Sequence, residues 1–179
     1  MRIFIIGRSR SGKSLAARYL AEALACDWSE TSTPVIRELA ELCKVSSGML
    51  DDGQCWERLI RVGKDEFRAE LQRMGDLMVR LRPGYLIREC CARSRIIVGV
   101  RRRCEVLDYF RHHDPSGWRS VWIKIIAENS RPDPHFELDH AKVDFEVINN
   151  GDPSSLAQQM NRISRLISGT PAQAKLAPH

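Results

Sequence analysis

Short apolar runs alternate along the chain with stretches in which apolar residues recur every three or four positions. Arg2-Ile3-Phe4-Ile5-Ile6 and Arg95-Ile96-Ile97-Val98-Gly99-Val100 are near-continuous apolar runs, the pattern of parallel strands covered on both faces. Ser120 to Ile126 reads as another strand, and Val143 to Ile148 as a last one with alternating Val143, Phe145 and Val147. Cys26 to Ser29 reads as a short second strand. Between them lie helical patterns. Leu15, Tyr19 and Ala23, and Ala16, Leu20 and Leu24, form two i,i+4 rows. Thr33 as N-cap and Pro34 at the first helical position predict a helix with Val35, Ile36, Leu39 and Leu42 as its stripe.

Further along, Ser46 to Gly53 reads as a loop. Gln54 to Arg82 is helical and heavily charged, broken near Gly63, with Phe67, Leu71, Met74 and Met78 facing inward. Pro83-Gly84 closes it, and helices follow over Tyr85 to Ala92 and Cys104 to Phe110. Asn129 to His140 is a polar loop carrying Pro132 and Pro134. Asp152-Pro153 supplies an N-cap and first position for a helix with Leu156, Met160, Ile163 and Ile167 on one side. Strands alternating with helices predict a three-layer α/β fold around a mostly parallel, five-stranded sheet. Residues 1–168 are expected to form one domain, and 169–179 a disordered tail.

Between the first strand and first helix, Gly7-Arg8-Ser9-Arg10-Ser11-Gly12-Lys13-Ser14 matches G-x-x-x-x-G-K-[ST]. Strand, loop and helix are the context that makes this match a phosphate-binding loop. Gly7 and Gly12 let successive N–H groups point inward at phosphate oxygens, and the helix start adds its partial positive charge. The spacing assigns Lys13 to the β- and γ-phosphates of ATP and the Ser14 hydroxyl to Mg²⁺. Arg8 and Arg10 either contact phosphate or point to solvent.

Charge and composition change this picture little. The 179 residues carry a net charge of +5, which suits a phosphate-handling cleft as well as a nucleic-acid surface. Cys26, Cys43, Cys55, Cys90, Cys91 and Cys104 show no C-x-x-C spacing, so neither a zinc site nor a disulfide framework is indicated. Cys90-Cys91 read as helix packing. No apolar run reaches the length of a membrane span and the chain opens on a strand, so a reducing cytoplasm is the expected compartment.

A phosphate loop serves many functions. The N-K-x-D segment by which small GTPases read guanine is absent. The strand Ile96–Val100 ends on Gly99 and Val100 where an acidic metal-binding residue often sits, which disfavours a motor ATPase more than a small kinase. A kinase needs a second anion site, and Arg101 follows that strand at the carboxyl edge where ligands bind in open α/β sheets. Arg37 lies on the second helix; Arg68 and Gln72 lie one turn apart on the long charged helix.

The phosphate loop, Thr33 to Leu42 (T-P-x-x-[RK]-E-L-A-E-L), Arg68 to Gly75 (R-x-x-L-Q-x-x-G), Gly99 to Glu105 (G-V-R-x-x-x-E) and Asp144 to Gly151 occur in an order that resembles the deoxynucleoside monophosphate kinases of bacteriophages and prophages. The resemblance implies transfer of the ATP γ-phosphoryl group to a deoxynucleoside 5′-monophosphate, with Mg²⁺ as cofactor. It implies Arg37, Arg68, Gln72 and Arg101 at the acceptor, and Lys13 and Arg101 at the transferring group. Members often carry an arginine just after the fourth strand; here Ala127 stands there and Arg131 is nearest, so Arg131 takes the catalytic assignment. Asn129 to His140, polar and carrying two prolines, reads as a lid that excludes water or as an ordinary surface loop, and Asp133, His135, Asp139 and His140 as solvated residues rather than metal ligands. Nucleic acid is not an expected partner, and a homodimer is compatible with the chain. The alternatives are a kinase for another small acceptor, or a nucleotide-sensing or DNA-associated module without turnover.

Overall fold

A computed structural model describes residues 1–47, 68–113, 120–130, 132–149 and 152–169. The strands are β1 (Arg2–Ile6), β2 (Trp28–Glu30), β3 (Ile96–Val98), β4 (Ser120–Ile126) and β5 (Phe145–Ile148). The helices are α1 (Lys13–Leu24), α2 (Ser32–Ser47), α3 (Arg68–Leu81), α4 (Tyr85–Cys91), α5 (Arg103–His112) and α6 (Pro153–Gly169). The sheet order is β2-β3-β1-β4-β5, and every pairing is parallel.

The apolar runs are buried on both faces because each strand sends alternate residues into different layers. Ile3 and Ile5 of β1, Ile96 and Val98 of β3, and Ile123 and Ile125 of β4 pack with Ala16, Ala17 and Leu20 of α1 and Leu156, Met160 and Ile163 of α6. Phe4, Ile6 and Ile97 face the other way, onto Ile87, Cys90 and Cys91 of α4 and Tyr109 of α5. Phe4 stacks on Trp122 with ring centroids 4.4 Å apart. Val35 of α2, Val79 of α3 and Leu86 of α4 form a smaller cluster, with Leu71, Met74 and Met78 packed against it.

Several boundaries differ from the sequence pattern. The second helix begins at Ser32, not Pro34, because the first-turn N–H groups need no intrahelical partner and Pro34 fits inside that turn. β2 begins two residues later than expected, at Trp28, and runs one residue further, ending on Glu30. β3 is only three residues long; Gly99, with φ near 90°, turns the chain out of the sheet. The lid expectation is corrected for the second half of Asn129–His140: Phe136 and Leu138 are buried, and their apolar side chains hold that half against the sheet. The N-cap at Asp152 is as expected, its Oδ1 accepting the Ser155 N–H at 2.9 Å. Phe67, the break near Gly63, Arg131 and residues 170–179 lie outside the described residues.

Parallel strands bring all five carboxyl ends to one edge. The chain leaves β1 towards β2 and leaves β4 towards β5, so the strand order reverses between β1 and β4. The loop after β1 lies at that switch point, where open α/β sheets bind ligands.

Candidate active site

The loop from Gly7 to Ser14 is shaped by close backbone approaches. Gly7 has φ near 148°, and a Cβ there would lie 2.4 Å from the Ile125 carbonyl oxygen of β4. Gly12 has φ near 91°, and its Cβ would lie 2.2 Å from Asn149 Nδ2. Asn149, just beyond β5, donates from that Nδ2 to the Ser11 carbonyl at 2.9 Å and braces the loop from the far side of the sheet. Lys13 Nζ folds back onto the Arg8 carbonyl at 2.5 Å. Ser11 Oγ is buried and has no hydrogen-bond partner among the described residues, an orphaned donor inside the loop. A buried spare hydroxyl in a glycine-bounded loop at the start of a helix fits a nucleotide polyphosphate.

The two loop arginines go different ways. Arg10, in a left-handed conformation with φ near 62°, borders the main cleft. Arg8 instead pairs with Asp139, Nη2 to Oδ2 at 2.5 Å, and Lys124 of β4 reaches the same carboxylate at 3.5 Å. The hydrogen bond from Arg8, with Lys124 beside it, holds the Asp139 carboxyl below the usual carboxylate range.

The strand Ile96–Val100 brings no carboxylate to the phosphate loop, but β2 does, through Glu30. At the end of β2 it meets the phosphate loop: Ser14 Oγ donates to Oε1 at 2.5 Å, and Ser32 Oγ to Oε2 at 3.0 Å. A hydroxyl and a carboxylate at this separation are hard oxygen donors of the kind Mg²⁺ prefers. The sequence carries only a weak signal for it, an acid two residues before a helix start. What makes Glu30 a site residue is the pairing of β2 beside β3.

Beside the loop opens a cleft of about 330 Å³. Its walls combine the polar side chains of Lys13, Ser14, Glu30, Arg68, Arg101 and Arg102 with the apolar ones of Val35, Leu71, Val79 and Leu86. Helix α3 supplies one wall in two rows at i,i+4 spacing, Arg68-Gln72-Asp76 and Leu71-Gly75-Val79. Arg68 also donates from Nη1 to Ser9 Oγ at 3.1 Å, tying α3 to the phosphate loop. The structure therefore gathers Arg68, Gln72 and Arg101 around one cavity. Arg37 is on α2, half-buried, and does not line that cavity.

Arg101 and Arg102 are held by their surroundings. Arg101 Nη1 lies 3.4 Å from Asp133 Oδ2, and Arg102 Nη2 bonds Asp76 Oδ1. His135 Nδ1 lies 3.5 Å from Arg102 Nη2. Asp133, His135 and Asp139 thus correct the expectation of solvated loop residues: each is engaged by a basic side chain, because the burial of Phe136 and Leu138 turns the loop inward. Glu105 at the start of α5 is buried, and its Oε2 accepts the Arg102 N–H at 3.0 Å and the Arg101 N–H at 3.3 Å. Burial pushes its carboxyl above the ordinary range against the pull of those two N–H groups. The spacing Gly99 to Glu105 thereby acquires a cause: the acid fixes the backbone that presents both arginines.

A second hollow, also about 330 Å³, is lined by Arg8 of the phosphate loop and by Lys124, Ile126, Ala127, Ser130 and Asp139. Ala127, in the place of an arginine, is buried here. Among the described residues no cluster of three or more His, Cys, Asp or Glu side chains is disposed to hold a metal, and no helix is long and apolar enough to cross a membrane. Cys90 and Cys91 are buried in α4, and burial pushes the Cys90 thiol up to about 12.

No protein-family model matches the chain, and no curated protein does. Among solved structures, a shikimate kinase from Aquifex aeolicus vf5 is 16% identical, with 94% of this chain and 97% of that one covered at a TM-score of 0.48. A sugar kinase from Janibacter sp. is 13% identical, with 88% and 90% covered at a TM-score of 0.39. Likeness at this distance carries no argument about the reaction.

Proposed function

We propose that this chain transfers the γ-phosphoryl group of ATP to a deoxynucleoside 5′-monophosphate, giving the diphosphate. The observation that carries the reading is the mixed lining of the cleft beside the phosphate loop. It brings the cations Lys13, Arg68, Arg101 and Arg102 together with an apolar cluster of Val35, Leu71, Val79 and Leu86. An acceptor with an anionic group and a flat, weakly polar ring matches both kinds of wall. The Thr33–Leu42, Arg68–Gly75 and Gly99–Glu105 segments supply residues of that wall, which supports the resemblance noted in the sequence.

The loop N–H groups, Ser11 Oγ and Lys13 bind the donor's phosphates, and the hollow beside Arg8 takes its adenosine. Ser14 and Glu30 hold Mg²⁺. Magnesium-bound ATP, when present, supplies the phosphoryl group and a cationic charge at its oxygens. Arg101, with Lys13, draws charge off the migrating group, and Arg68 with Arg102 seats the acceptor's anion. The resemblance adds Arg131 as a further proposed catalytic residue. The acceptor oxygen is already anionic, so the chain need provide no general base. In-line transfer of this kind asks for positioning and electrostatics rather than covalent help.

The test is ADP release from Mg·ATP with each deoxynucleoside monophosphate in turn, beside Lys13→Ala. Turnover that depends on a monophosphate and disappears in the variant is the expected result. ATP binding without turnover for any monophosphate overturns the acceptor assignment; shikimate and simple sugars as further acceptors then separate another small-molecule kinase from a binding module.

A further inference from the structure

Gly75 has no structural reason to be glycine. It sits inside α3, where glycine weakens a helix relative to alanine. Four other described glycines have evident causes, and Gly169 closes α6 in open space. Gly7, Gly12 and Gly99 adopt positive φ, and a Cβ on Gly84 would lie 2.5 Å from Asp108 Oδ2 and 3.0 Å from the Tyr109 nitrogen. At Gly75 neither applies. Its φ is not in the left-handed region, and among the described residues a Cβ there would meet only Val35 Cγ2, at 3.7 Å, an ordinary contact. Alanine would fit the folded chain. What it would take is space in the cleft, because Gly75 faces the cavity between Leu71 and Val79, each one turn away.

We propose that Gly75 keeps open a slot for the flat ring of the acceptor's base, seated against Leu71, Val79 and Val35. The inference rests on the nucleotide reading above. A bare helix backbone lets a ring approach closer than any side chain permits. Gln72 and Asp76, on the adjacent row of the same helix, border the slot with an amide and with a carboxylate that Arg102 holds in place. Gly75 is then a specificity-determining position: it acts by the volume it leaves empty, while Gln72 and Asp76 meet the ring's edge.

The experiment is calorimetric binding of ATP and of each of the four deoxynucleoside monophosphates to wild type, Gly75→Ala and Gly75→Leu, with thermal melting of all three. At least one monophosphate is expected to bind wild type, about tenfold more weakly to Gly75→Ala and beyond detection to Gly75→Leu, in the range that small volume changes produce in a fitted pocket. ATP affinity is expected to stay unchanged, and Gly75→Ala to melt no lower than wild type. Monophosphate binding that survives in both variants overturns the slot and leaves the kinase reading standing. Parallel loss of ATP binding and of melting temperature also overturns it, since the glycine would then serve the fold. Failure of wild type to bind any of the four sinks the nucleotide reading, and the slot with it.

Discussion

Ser14 Oγ donates a hydrogen bond to Glu30 Oε1 at 2.5 Å, joining the last residue of the phosphate-loop motif to the last residue of β2. The contact is within the range of short, charge-assisted O–H···O bonds. It places a carboxylate beside the hydroxyl that the motif assigns to Mg²⁺.

Glu30→Gln keeps an oxygen that can accept from Ser14 but removes the negative charge. Turnover is expected to fall by about 10²-fold, the scale of one lost electrostatic contact at a transferring group, and to require more Mg²⁺ for half-saturation. ADP release titrated with Mg²⁺ measures both. Unchanged rate and unchanged Mg²⁺ dependence would remove Glu30 from the site.

Asn149 reads out the brace on the loop. Asn149→Ala deletes a hydrogen bond worth about 1 kcal/mol and loosens the Ser11 carbonyl. Asn149→Asp is expected to be worse, because a carboxylate then faces a carbonyl and brings negative charge towards the phosphate cradle. Calorimetric ATP affinity should follow the order wild type, Ala, Asp; equal affinity for all three would show the brace to be dispensable.

Glu105 sets a pH dependence. Burial raises its carboxyl above the ordinary 4.5, so the folded chain holds that proton more tightly than the unfolded one. The stability this contributes is complete below about pH 4.5 and is lost as pH rises through the raised value. Glu105→Gln, neutral throughout, should therefore gain on wild type as pH climbs through that window. Melting temperatures of both proteins across pH check this. A wild type that gains on the variant instead would mean that the Arg101 and Arg102 N–H groups outweigh burial.

Gly84→Ala tests packing where Gly75→Ala tests open space. Asp108 can swing aside, but the Tyr109 backbone at 3.0 Å cannot move without shifting α5. The substitution is expected to cost about 1–3 kcal/mol, as other overpacked sites do, and to lower the melting temperature. A neutral Gly84→Ala would mean that α4 and α5 separate easily.

Much of the layout was legible locally because helix and strand periods are written over neighbouring residues. The i,i+4 rows of α1 and the stripe of α6 are of this kind. The edges were less legible: Pro34 marks a first turn without fixing which residue opens it, and the three-residue β3 ends at a glycine whose φ depends on its neighbours. The loop Asn129–His140 looked solvated because polar residues outnumber Phe136 and Leu138, yet burial of those two side chains decides how the segment lies.

By itself the sequence determined the phosphate loop, since Gly7, Gly12, Lys13 and Ser14 act within one turn of chain, and it determined an α/β alternation with Arg101 at a strand's carboxyl end. Only the tertiary structure decided the company these residues keep. Glu30 is 16 residues from Ser14, Arg68 is 59 from Ser9 and Asn149 is 138 from Ser11. Such contacts depend on strand order, which sets β2, β3, β1, β4 and β5 side by side with all carboxyl ends at one edge. No local period encodes that order; it follows from the whole chain burying both faces of one sheet at once.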